Sequence, residues 1–120
     1  MAKGRDKHQN YLAALNLLGK ALARRSGRKC ELSQQSGVLV IHDLESSKVE
    51  PDMNHVVLVT ESVKQSLDGA PFDASELRFL ENAVWSTLSP VRRAAVSLLE
   101  RIEAPWAQAA IENAQMMDES

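Results

Sequence analysis

The stretches SGVLVIHD, residues 36–43, and HVVLVTES, residues 55–62, decide the fold. Each contains four consecutive aliphatic residues, 38–41 and 56–59, mostly β-branched. Short runs of this kind, bounded by Gly37 and by polar residues, read as β-strands. A polar loop containing Pro51 lies between them, so the expected unit is an antiparallel pair with a connection too long for a tight turn. A two-stranded ribbon is marginal on its own in water. It has to lean on something else in the chain, and the sequence on either side is helical.

Before the ribbon, Tyr11, Leu15, Leu18 and Leu22 recur at a helical period, predicting a long helix over residues 6–26. Leu12, Ala14, Leu17 and Ala21 widen that stripe, which predicts burial on more than one side. Asp6 has the place of an N-cap, and Ser26-Gly27 that of a stop, because glycine accepts the left-handed conformation that ends helices. After the ribbon, residues 61–67 read as a short helix ended by Asp68-Gly69. Residues 73–118 then read as a helical tail. Asp73 to Glu76 has the form of a capping box, followed by a face of Leu77, Leu80, Val84 and Leu88. Ser89-Pro90 and Ala104-Pro105 each place proline where a helix tolerates it, at the first helical position. The first of these helices carries Val91, Ala95, Leu98 and Ile102, the second Trp106, Ala109, Ala110, Asn113 and Met117. The expected fold is mainly α with a small two-stranded antiparallel ribbon, an α+β chain of one domain over residues 1–120.

Composition limits the function. With 44% apolar and 25% charged residues, the chain has the make-up of an ordinary globular domain. One cysteine excludes an intramolecular disulfide and fits a reducing compartment. The opening MAKGRDKHQN has no apolar core of a secretory signal, and no apolar run approaches membrane-span length. A cytoplasmic protein with no membrane partner is expected. Charge is unevenly spread. Residues 1–29 hold eight basic residues against Asp6, a net +7, while the remainder holds six basic and fifteen acidic residues, a net −9. Such asymmetry suits an anion-binding arm, or two ends that attract each other.

Three segments together carry a resemblance: LNLLGKALARRSGRKCELS (15–33), HVVLVTESVKQSL (55–67) and LRFLENAVWSTLSPVRRAAVSLLERIEAPWAQAAIENA (77–114). The chain resembles the PhnA-like family of bacterial zinc-ribbon proteins, named for alkylphosphonate-utilisation operons. In that family the first two segments carry C-x-x-C knuckles. The third is a helical tail matched here at Trp85-Ser86, Pro90 and Trp106. The resemblance implies a zinc-ribbon-like region over residues 28–68. It places the four metal-ligand positions on Cys30, Ser33, Thr60 and Val63. Structural zinc takes four thiolate or imidazole ligands. Two hydroxyls and a valine cannot replace three of them, so the implied site is degenerate and no metal or other cofactor is expected.

Other residues offer chemistry. Cys30, His42 and His55, with Asp43 or Asp52, form a conceivable irregular metal set, although the two histidines also read simply as polar strand ends. Lys20, Arg24, Arg25, Arg28 and Lys29 could contact the phosphates of a nucleic acid, but no aromatic residue is interleaved among them for stacking. The alanines at 94, 95, 107, 109 and 110 allow close helix approach and suggest a homo-oligomer. No nucleophile–base pair is visible. The expected function is a non-enzymatic binding or structural module, with a nucleic-acid-associated protein as the alternative.

Overall fold

The computed structural model describes residues 13, 16–45 and 52–119. The expected Asp6 cap, the stripe positions Tyr11, Leu12, Ala14 and Leu15, and Pro51 lie outside them. The chain is mainly helical with one antiparallel ribbon, an α+β fold. A first helix, α1, runs over 16–26. Strands β1 (Leu39–Asp43) and β2 (Val56–Thr60) follow, then α2 (Glu61–Leu67), a 3-10 turn (Ala74–Leu77), α3 (Leu80–Ala83), α4 (Ser89–Leu99) and α5 (Pro105–Glu119).

The ribbon forms a middle layer. Its register pairs Leu39 with Thr60, Ile41 with Leu58 and Asp43 with Val56. Alternate side chains point to opposite faces of a strand. On β2, Val57 and Val59 join the main core with Leu80, Leu98 and Leu99 from the helical tail. Val56 and Leu58 join a second cluster with Leu22, and Leu18, Ala23 and Ile41 pack around it. With both faces covered, four consecutive residues of β2 are buried. That explains an unbroken apolar run in place of alternation. Val38, expected in the first strand, falls outside it and is exposed.

α1 buries one side only. Leu22 is fully buried and Leu18 half-buried, but Leu17 and Ala21 face solvent. The expectation of a helix buried on two sides is therefore corrected, because the ribbon offers α1 a single surface. The helix ends as the sequence predicts. Gly27 takes φ 66° and the Arg28 amide donates to the Ala23 carbonyl at 2.9 Å.

The tail departs from expectation in two places. The helix expected to run from the capping box breaks into the 3-10 turn and α3, and Asp73 caps Ser75 at 2.9 Å instead of residue 76. Leu77, Leu80 and Ala83 are spaced by three, which suits the three residues per turn of tighter winding and still buries all of them. On α5 the buried row is Ala107, Ala110 and Ala114; of the expected face Ala110 is buried, Trp106, Asn113 and Met117 are half-buried and Ala109 is exposed. These alanines meet buried Ala94 and Ala95 in the main core, so the small-residue faces serve contact within the chain. Trp106 is too large for that seam. It lies half-buried under the Arg78 guanidinium, 4.6 Å from its ring centre.

Candidate functional site

Residues 30–35 form a tight loop beside β2. The Cys30 amide donates to the Gln35 carbonyl at 2.8 Å, the Gln34 amide to the Cys30 carbonyl at 2.9 Å, and Gln34 takes φ 65°. The Cys30 sulfur accepts the Ser33 amide at 3.4 Å. A parallel arrangement starts α2, where Thr60 Oγ1 accepts the Val63 amide at 3.4 Å. The four positions named by the resemblance thus form two turns of one kind. In each, the first side chain accepts the amide three residues on. Cys30 and Val63 are both buried in the main core, beside Val57 and Val59.

These groups do not suit zinc. One thiol, two hydroxyls and an isopropyl group offer a single good ligand, and Val63 fills its place with hydrocarbon. Among the described residues, no three His, Cys, Asp or Glu side chains are placed to hold a metal ion.

The irregular set is not brought together either. Cys30 is fully buried. His42 turns to α2, its Nδ1 lying 3.3 Å from Lys64 Nζ and 3.5 Å from an Asp68 oxygen. His55 turns to α4, 3.1 Å from Arg93 and 3.4 Å from Glu45. Asp43 and Asp52 accept backbone amides two residues on, from Glu45 and Asn54.

Burial, aided by the Lys64 charge, holds the His42 imidazole below its ordinary value of 6.5, against the opposing pull of Asp68 and Asp43. The unfolded chain therefore binds the proton first as pH falls, and stability declines below about 6.5. Thermal melts from about pH 7.5 to 5.5 are expected to show a falling Tm, with a shallower slope in His42→Gln. An unchanged slope in that variant would assign the dependence to other groups.

The basic stretch divides. Arg25 does not belong to a solvent-facing set, because its guanidinium is fully engaged inside the molecule. Nε and Nη2 donate to the two Glu31 carboxylate oxygens at 2.7 and 2.8 Å, and the remaining bonds reach the Met53 and Val56 carbonyls. Glu31 is also bonded twice to Leu58. Its amide donates to the Leu58 carbonyl and its carboxylate accepts the Leu58 amide, both at 2.8 Å. Glu31 thereby covers the edge of β2 that β1 leaves open. Lys20, Arg24, Arg28 and Lys29 are exposed, and their side chains have no ion pair or hydrogen bond among the described residues.

Sequence reasoning missed Glu31. Its signal was a single acid two residues beyond Lys29, the last of the cations, and six residues beyond Arg25.

A cleft of about 400 Å³ opens between the Cys30 loop, α2 and the 3-10 turn, lined by Gln35, Ser62, Val63, Phe72 and Glu76 among others. Its hydroxyls serve structure: Ser62 Oγ lies 3.3 Å from Thr60 Oγ1, and Ser66 donates to the Ser62 carbonyl at 3.1 Å. Among the described residues neither has a histidine partner.

Fold and site together define a helical α+β protein with a central ribbon and two similar turns, at residues 30–33 and 60–63. No known protein family, curated protein or solved structure matches the chain. Among the described residues, no helix is long and apolar enough to cross a membrane.

Proposed function

We propose that the chain is a cytoplasmic, non-enzymatic binding or structural module, similar to PhnA-like zinc-ribbon proteins, whose ribbon holds its shape by packing instead of by zinc. The observation that supports this reading is the pair of matched turns at residues 30–33 and 60–63, filled by a buried thiol and a buried valine. A structural zinc contributes on the order of 10 kcal/mol to such a module. Here the two apolar layers and the Arg25–Glu31 bond occupy that role. A nucleic-acid-associated protein is the second reading, favoured by the four exposed cations on and after α1, unpaired among the described residues.

Metal analysis tests the first reading. Protein dialysed against a chelator is expected to contain far less than stoichiometric zinc and to keep its Tm. Stoichiometric zinc whose removal unfolds the chain would refute it. The triple variant Ser33→Cys, Thr60→Cys and Val63→Cys should bind cobalt with the absorption of a tetrahedral thiolate site. Failure of a folded variant to do so would remove the assignment of these positions.

A further inference from the structure

The outermost layers of the molecule carry opposite and unused surfaces. α1 covers one face of the ribbon, while α4 covers the other and is itself backed by α5. The outward row of α1 is Ala13, Leu17, Lys20 and Arg24, spaced at one helical face. Leu17 is 74% exposed and Val38, beside the ribbon, 73%; they are the most exposed large apolar side chains among the described residues. Between α1 and the ribbon runs an open groove of about 390 Å³ floored by Gly19, Ala23, Leu39 and Ile41, with Arg28 on its lining. Arg28 holds φ 63°, a conformation that costs a non-glycine residue energy.

The far end of α5 is the complement. Glu112 and Met116 are exposed one turn apart, Met116 at 60%. Glu112 has no side-chain partner among the described residues. Arg92 joins this end to the loop holding Trp85, itself 47% exposed, by bonding both the Ser86 carbonyl and the Asp118 carboxylate.

We propose that the basic face of α1, Leu17, Lys20 and Arg24 with Val38, binds the Glu112–Met116 end of α5 in a second copy of this chain, head to tail. An antiparallel approach that sets Met116 on Leu17 brings Glu112, one turn away at about 6 Å, level with Lys20. Charge complementarity steers and registers the contact, and the exposed aliphatic groups supply the burial. Among the described residues a single strand of nucleic acid would find no aromatic side chain to stack on here, and Leu17 and Val38 would add nothing to a contact with phosphates. Because donor and acceptor surfaces differ, each contact leaves one of each free, so the assembly grows with concentration. This deepens the binding-module reading by naming its partner.

Sedimentation of the full chain at low salt should give a mass above 13.2 kDa that rises with concentration. Salt at about 0.5 M should return it to monomer. The face variant Leu17→Ser/Lys20→Ser/Arg24→Ser and the end variant Glu112→Ser/Met116→Ser should each be folded and monomeric. Mixed in equal amounts they should form a dimer that grows no further, since only one productive contact remains. A wild-type chain that stays monomeric at every concentration overturns the proposal. So does association that survives in the face variant, or tight binding of a fluorescent oligonucleotide by monomers that the face variant loses. A monomer that keeps its fold without metal defeats the assembly and leaves the module reading standing. A zinc-dependent fold that still assembles does the reverse.

Discussion

Glu31→Ala is expected to cost about 3–5 kcal/mol, the range for removing one partner of a buried ion pair. Three losses coincide. The Arg25 guanidinium, 14% exposed, stays behind without its counter-charge, since the Glu31 side chain opposite it is only 2% exposed. The Leu58 amide loses its acceptor. The open edge of β2 also loses the carboxylate that helped to cover it. Arg25→Ala should be similarly damaging, because it strands a carboxylate. The paired change Arg25→Met/Glu31→Met should recover part of the loss, since it removes both charges, although the Leu58 amide and the Met53 and Val56 carbonyls lose their side-chain partners. Urea titrations of the four proteins measure this directly. A loss in the pair equal to the sum of the two single losses would show that the bond contributes little beyond its separate side chains.

The identity of this bond also marks how far the residues alone could be read. Strand positions were legible because β-branched runs between polar turns have few alternatives. The stop at Gly27 was legible because it depends on local backbone conformation alone. The bond between Arg25 and Glu31 was not, since it exists only once the 30–35 loop folds back on β2. Sequence spacing places Arg25 with its cationic neighbours, and only the closed loop separates it from them. The expected α5 face, right at Ala110 but not at Ala109, has a similar origin. Bulk along the sequence favours the row through Trp106, whereas close contact with Ala94 and Ala95 selects the row of smallest side chains. The continuous helix expected after Asp73 failed because apolar residues spaced by three satisfy tighter winding equally well. Nothing in the chemistry of residues 30, 33, 60 and 63, one thiol among hydroxyls and a valine, announces a site.

Leu98→Ala is expected to destabilise the whole chain by about 2–5 kcal/mol, and to do so in the ribbon as much as in the helices. Leu98 is fully buried on α4. It shares one cluster with Cys30, Val57, Val59 and Val63, residues of the 30–33 and 60–63 turns and of β2. Its removal leaves a cavity at the junction of α4 with the ribbon, and a close-packed core relaxes only partly into such a space. If packing holds the ribbon, its opening requires the helical layer to open too, and the two report one transition. Amide exchange of β2 should then accelerate about 100-fold for a loss near 3 kcal/mol, in step with the fluorescence of Trp85 and Trp106. A ribbon held by its own cross-link would keep its protection while the helices loosened. Separate transitions in the variant would therefore count against a packing-stabilised ribbon, even if the protein proved free of zinc. Gln65→Ala, made on the exposed face of α2, is the matched control and should change stability by no more than about 0.5 kcal/mol.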